Sequence, residues 1–234
     1  MGYKTDLHVH SKEASFCANC PAEIIAEKYA AAGYRTIVLA NHFNHEYIIK
    51  SPEGTFDSAV KVFFGAYEKL THAAGGALNV ILAMEARFAE NYNDYLIFGE
   101  TEKFIDFSKR QTEFVSMGIK KYSEAARAEG FLVVQAHPFR HHMTVINPSF
   151  LDGIEVHNGH IGHNSNNDIA HAWAKKHGKL ATSGSDHHDI KHPITGGIIT
   201  ESPIDDSVEL MRVLRSGEFT LIEELEAAKI AAEQ

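Results

Sequence analysis

Residues 3–40 read YKTDLHVHSKEASFCANCPAEIIAEKYAAAGYRTIVLA. Tyr3–Val9 is expected to be a strand. Pro21 to Ala32 reads as a helix, with proline at its start, where a missing N–H costs nothing, and Gly33 as its stop. Thr36–Ala40 (TIVLA) reads as a buried strand from its β-branched content. One strand–helix–strand unit therefore occupies the first 40 residues.

The same alternation continues. Phe56 to Ala74 has helical period and ends at Gly75-Gly76, and Leu78–Met84 (LNVILAM) reads as a third strand. Tyr95–Phe98 is a short fourth strand, and Gln111 to Glu129 a helix closed by Gly130. Phe131–Gln135 and Gly153–Val156 are the fifth and sixth strands. Asp168 to His177 is a helix closed by Gly178, followed by a seventh strand at Lys179–Ser183. Asp205 or Asp206 can cap a helix to Arg215, stopped by Gly217, and Glu223 to Glu233 is expected to form a last helix. Strands alternating with helices imply a parallel sheet. Seven strands in 234 residues fit a closed or nearly closed barrel better than an open sheet, as one domain over residues 1–234.

The chain is 44% hydrophobic and 23% charged, with a formal net charge of −9. An acidic surface repels phosphate backbones, so no long nucleic acid is expected as a partner. No apolar run approaches the roughly 18 residues of a membrane span. Met1 to Asp6 lacks an apolar signal core, and two cysteines do not imply a disulfide framework. The expectation is a cytoplasmic protein without a membrane partner. Oligomeric state is not readable. The unusual number is sixteen histidines.

Their placement is informative, because β/α barrels carry reactive groups at the C-terminal ends of strands. His8 and His10 end strand one, and His42 ends strand two. Glu85 ends strand three and His137 strand five. Asp186 and His188 follow strand seven. The i, i+2 spacing of His8 and His10 puts both side chains on one face of a strand. Neutral imidazole and carboxylate suit Zn²⁺, Mn²⁺ or Fe²⁺. A bridging carboxylate such as Glu85 can hold two ions, and paired ions can make hydroxide from water and stabilise an in-line displacement at phosphorus. Each residue alone has an ordinary structural reading. All seven on one rim point to a metal site, with Glu85, Asp186 and His188 closest to the chemistry.

The ordered series Asp6-Leu7-His8-Val9-His10-Ser11, Asn41-His42, Glu85, His137-Pro138-Phe139-Arg140, Gly153-Ile154-Glu155-Val156 and Gly184-Ser185-Asp186-His187-His188 resembles the PHP (polymerase and histidinol phosphatase) family. The resemblance runs from residue 6 to about residue 200. It implies a distorted (β/α)7 TIM-like barrel and a phosphoesterase site with two or three divalent metal ions. His8, His10, Glu85 and Asp186 look like ligands of one ion. Glu85 and His137 look like ligands of a second, and His42 and His188 of a third. Three departures stand out. Asn41 replaces an aspartate that is frequent in the family. The stretch Ser11 to Cys17 lacks the further histidine of three-metal members. After strand four, where another ligand commonly follows, stands Gly99-Glu100-Thr101-Glu102, so a glutamate is a candidate replacement.

Other residues extend the expected site. Arg140, three residues past His137, is a candidate phosphate clamp, since guanidinium binds two phosphate oxygens at once. His157 and Asn158 end strand six, and His157 is a candidate substrate contact or a support for a ligand. Of the loop histidines 141, 142, 160, 163, 187 and 192, one can act as general acid. Cys17 and Cys20 have C-x-x-C spacing but no second cysteine pair to complete a four-thiolate site. Trp173 is expected in the core.

The leading functional expectation is hydrolysis of a small phosphorylated metabolite as a phosphomonoester, with histidinol phosphate a possibility by family analogy only. The alternatives are phosphodiester hydrolysis on short nucleotides or oligonucleotides, amidohydrolase chemistry, and a non-catalytic metal-binding regulatory module. Glu85 stands where amidohydrolases often carry a bridging lysine, which disfavours amidohydrolase chemistry.

Overall fold

A computed structural model describes residues 2–113 and 116–223. Strand β1 is Tyr3–Val9, followed by helix α1 (Ala22–Ala31), β2 (Tyr34–Leu39), β3 (His42–Phe43), α2 (His45–Lys50) and α3 (Phe56–Ala74). Next come β4 (Asn79–Leu82), β5 (Met84–Arg87), β6 (Asp94–Phe98), α4 (Thr101–Arg110), α5 (Gly118–Ala128) and β7 (Leu132–Gln135). The last third holds β8 (Gly153–Asn158), α6 (Asn167–His177), β9 (Leu180–Gly184), β10 (Gly197–Thr200), α7 (Ser207–Ser216) and β11 (Thr220–Ile222). Local chemistry explains several boundaries. Thr55 accepts a hydrogen bond from Ser58 N at the start of α3, and Gly75 ends that helix at φ 55°. Asp206 caps α7 by accepting from Glu209 N, and Gly217 ends it at φ 70°.

The strands form two hydrogen-bonded sheets rather than one parallel barrel. Their orders are β11-β10-β1-β2-β4 and β3-β5-β6-β7-β8-β9. Pairings β1–β2, β2–β4, β7–β8 and β8–β9 are parallel, as expected. Pairings β5–β6, β6–β7, β1–β10 and β10–β11 are antiparallel. The reversal at β6 has a simple cause. Six residues separate β5 from β6, enough for a hairpin loop and too few for a helical crossover. The third expected strand is also divided: β4 lies in one sheet and β5 in the other, joined through Ala83, whose N–H donates to Leu39 O. On the opposite side, one parallel bridge pairs Val9 with His187.

Other boundaries shift. The helix expected from Gln111 starts at Gly118, and α4 precedes it. Strands β3, β10 and β11 and helix α2 are too short for periodicity to find. The expected tail helix falls, from residue 224 onward, outside the described residues. Among the described residues no helix is long and apolar enough to cross a membrane.

Three apolar clusters hold these elements. Phe63, Phe104, Phe107, Tyr122 and Phe131 pack helices α3, α4 and α5 against the second sheet. Leu7, Val38, Ile81, Leu96, Phe98 and Val134 come from both sheets and pack with Leu210 and Leu214 of α7. Ile25, Tyr29, Ile37, Leu39 and Leu70 join α1 and α3 to the first sheet.

Gly184, at the end of β9, lets that strand approach β1. A Cβ there would overlap the His8 Cβ and lie 3.0 Å from Glu155 Oε1. Replacing Gly184 by alanine is therefore expected to cost about 1–3 kcal/mol by overpacking. Urea unfolding measures it, and a change within about 0.5 kcal/mol, ordinary for a surface site, would show that the two strands are not tightly opposed.

Candidate metal centre

The strand ends converge as their side-chain types suggested. His8, His10, Glu85, His137 and Asp186 are each 2% exposed or less, and His42 and His188 are partly buried. Glu85 occupies the middle. Its Oε1 lies 3.0 Å from His137 Nε2 and 3.4 Å from His8 Nε2. Its Oε2 lies 2.8 Å from His42 Nδ1 and 3.3 Å from His10 Nε2. Asp186 Oδ1 is 3.3 Å from His10 Nε2 and 3.2 Å from His188 Nδ1.

The surrounding hydrogen bonds decide which ring nitrogens face inward. His8 Nδ1 is 2.8 Å from Glu155 Oε1, an acceptor, so this nitrogen carries the proton. Ser15 Oγ donates to Asn41 Oδ1 at 2.8 Å, which leaves its lone pairs to accept from His10 Nδ1 at 3.1 Å. Both Nε2 atoms are then lone pairs, and they face each other across 2.9 Å. Two lone pairs at that distance repel unless a proton or a cation lies between or beside them. Glu85 Oε2 and Asp186 Oδ1, also buried, have no hydrogen-bond partner. Electron-pair donors without donated protons thus meet in one buried place, which is the chemistry of a divalent-cation site.

Charge balance tells the same story. Burial raises the pKa of Glu85, but His42 and His8 hold it well below the carboxylate range. Burial also raises that of Asp186, and His8 and His188 pull it far down. His188 itself is lowered by burial and raised by Asp186, with a net rise to about 9. The carboxylates demand positive charge, and protonated imidazoles supply it wherever an ion does not.

Three overlapping groups have ligand atoms within 4.8 Å of one another: His8, His10 and Glu85; His10, His42 and His188; and His42, Glu85 and Asp94. Asp94 was not anticipated. The sequence pointed to a glutamate after strand four, yet β6 runs antiparallel, so the start of that strand faces the centre and its end points away. Glu100 instead stands at the N-terminus of α4, ion-paired with Lys103. Arg87 grips Asp94 through Nε and Nη2 at 2.7 and 2.6 Å. Only the hairpin reversal, not composition, could have signalled Asp94.

Two further supports come from motif residues that carried no assigned role. Glu155 also accepts from His137 N at 2.9 Å. Asp6 accepts from His8 N, Ser185 N and Tyr29 Oη, tying β1 to the β9 end. Burial raises its pKa to about 6 in spite of these bonds. Asn41 stays neutral and clamps the Ser11–Ser15 loop through Ser11 N and Ser15 Oγ. His137 and Asp186 adopt positive φ, 29° and 49°, an uncommon conformation for non-glycine residues that gathers at functional sites.

A cavity of about 610 Å³ opens onto the cluster, with His42, His137, Asp186 and His188 on its walls. A larger hollow of about 890 Å³ lies beside β10 and the α7–β11 turn, lined by Thr200, Arg212 and Glu218, away from the ligating groups. Arg140 reaches into the first cavity. Its Nη2 donates to Asp186 Oδ2 at 2.8 Å and Asn158 Oδ1 at 2.7 Å, while its Nε has no partner. His157 does not face the cavity. Asn167 Nδ2 donates to its Nδ1 and its Nε2 meets Thr195 O, so no ring nitrogen remains for a substrate.

The loop histidines divide. His160, His163 and His192 line the cavity, and burial lowers His160 to a pKa of about 4. His187 is buried, its Nε2 accepting from Lys28, and burial lowers it to about 3. Cys17 also lines the cavity, whereas Cys20 is buried in the core beside α1. Trp173 packs partly buried against the helical core, as its helix position suggested.

No protein-family model matches the chain, and no curated protein does. Solved structures do. A two-domain protein of Bacteroides vulgatus containing a predicted PHP-like metal-dependent phosphoesterase superposes with a TM-score of 0.64 at 14% identity over 95% of this chain. The fold is shared with PHP-like metal-dependent phosphoesterases. This chain spans 65% of that protein's length. PsfC from Pseudomonas syringae matches with a TM-score of 0.66 at 15% identity, over 90% of this chain and 88% of its own. An amidohydrolase from Chromobacterium violaceum, solved with bound sulfate and no metal, gives 0.50 at 14% identity over 95% and 99%. At these identities the likeness is one of fold.

Asp94 and Glu100 give opposite expectations that check the reversed strand. Asp94→Asn is expected to lower bound metal per chain in elemental analysis, and Glu100→Gln to leave it unchanged. Chelation of the native protein is expected to lower Tm by roughly 5–10 °C, the loss of about 2.7 kcal/mol of binding stabilisation at a hundredfold excess over Kd. An unaltered Tm under chelation would speak against an ion in this cluster.

Proposed function

We propose that this chain is a metal-dependent hydrolase of small phosphomonoesters. The observation that carries the reading is the convergence of four imidazole rings on the buried Glu85 carboxylate, beside the cavity. His8, His10, Asp186 and Glu85 would hold one ion, Glu85, His137 and Asp94 a second, and His42 and His188 a third. Zinc, manganese and iron all suit this donor set. Bound ions would supply Lewis acidity, lower the pKa of a water and offset the charge of phosphate oxygens.

The chain's own residues supply position. Arg140 is pinned by Asp186 and Asn158, which fixes its guanidinium at the cavity wall, where a phosphate would meet it. Glu85 and Asp186 hold no proton at neutral pH, so they orient and do not donate. Burial lowers the pKa of His160 and His163, so a proton for the leaving oxygen is left to His192 or a water at the rim. A cavity of about 610 Å³ suits a metabolite rather than a polymer. The acidic net charge of −9 agrees with a small substrate and no long nucleic acid. Amidohydrolase chemistry has less support here, because a carboxylate, Glu85, stands at the centre of the cluster, where such enzymes often carry a bridging lysine. A cytoplasmic setting is part of the same proposal.

Asp186→Ala is expected to abolish phosphate release and to lose bound metal together. Arg140→Lys should keep the metal and lower kcat/KM by about 10–100-fold, roughly 1.4–2.7 kcal/mol. Turnover of a monoester against a dinucleotide separates the monoesterase from a phosphodiesterase. Native turnover by Asp186→Ala, or silence of the metal-loaded protein across a phosphoester panel, would remove the proposal, the second outcome favouring a non-catalytic metal-binding module.

A further inference from the structure

The group formed by His10, His42 and His188 has three nitrogen donors and borders the open cavity. Cys17 lines the same cavity as His42 and His188. This thiol lies 3.2 Å from Tyr47 Oη, whose ring stands 5.3 Å from that of His42. The Cys17 loop is held on both sides, Asn19 N beyond it donating to His188 O at 2.9 Å. Ser15 is tied to His10 and Asn41, and the Phe16 ring stacks on Tyr47 at 4.8 Å. Two buried oxygens without partners face the same group: Asp186 Oδ1, 3.2 Å from His188, and Glu85 Oε2, 2.8 Å from His42.

We propose that Cys17 is a thiolate ligand of the ion bound by His42 and His188, so that this position has mixed nitrogen and sulfur donors and selects zinc over manganese or magnesium. The inference rests on the metal centre described above and adds to it a donor that no histidine in the loop provides. Thiolate is a soft ligand that favours zinc, whereas manganese and magnesium prefer oxygen. Binding displaces the thiol proton to solvent and forms a metal–sulfur bond without oxidation or reduction. Cys20, buried in the core and three residues on, takes no part.

Cobalt(II) reports the donor set directly. Loading the metal-free full chain with cobalt is expected to produce visible ligand-field bands together with a near-ultraviolet sulfur-to-cobalt charge-transfer band. The charge-transfer band should vanish in Cys17→Ser and Cys17→His and persist in Cys20→Ala. Circular dichroism confirms that each variant is folded. Zinc should also protect Cys17 from iodoacetamide in the native chain, read by mass spectrometry at that residue, while magnesium does not. Ligand-field bands without a charge-transfer band in the native protein would overturn the proposal and leave the metal centre standing. Failure to bind cobalt at all would overturn both. A charge-transfer band retained in Cys17→Ser would also exclude Cys17 as its source.

Discussion

The hydrogen bond between His8 Nδ1 and Glu155, 2.8 Å long and wholly buried, determines which face of the imidazole looks into the site. With one proton committed to Glu155, His8 offers its neighbours the other ring nitrogen, as a lone pair to an ion or as a second N–H to the carboxylates. The Asn41–Ser15–His10 relay does the same for the second ring. A buried cluster of acceptors is unfavourable alone, by several kcal/mol per unpaired charge. The surrounding packing therefore holds in place an arrangement that is stable only with positive charge at its centre. The left-handed backbone at His137 and Asp186 belongs to the same pattern of local strain carried by the rest of the fold.

The two sheets meet at this cluster from different directions. His8 and His10 arrive on β1 or just beyond it, in the first sheet, while Glu85 and Asp94 arrive on β5 and β6, in the second. Strand β6 presents its N-terminal end to the centre, whereas β1, β7 and β9 present their C-terminal ends. That reversal brings a carboxylate to a place that a purely parallel arrangement would fill from the residues after the strand. Arg87, on the neighbouring strand, then balances Asp94 without itself entering the cluster.

Much of this was readable from residues alone. Strand β1 and helix α3 have the bounds that alternation and capping imply, because Gly75 and the Tyr3–Val9 pattern leave little choice. The histidines and carboxylates at strand ends come together because residue type and strand position both follow from local sequence. What could not be read depends on contacts between distant segments. Nothing near Asp94 shows that β6 turns back on β5, and nothing near His157 shows that Thr195 and Asn167 will occupy its ring. The passage from one sheet to the other at Ala83 likewise depends on which neighbours each half of residues 79–87 finds. The short strands β3, β10 and β11 lack the length for a period to emerge.

That divided run carries a mechanical implication. Asn79 to Arg87 is one nearly continuous extended segment whose first half is bonded to β2 and whose second half is bonded to β3 and β6. The spacing between the two sheets at Ala83 is thus set by covalent bonds and one backbone hydrogen bond, not by how the outer helices pack. Helix sequences can drift, and their apolar contacts can loosen or swell, while Glu85 keeps its distance from the β1–β2 edge. The geometry that an ion senses is insulated from repacking of the outer helices.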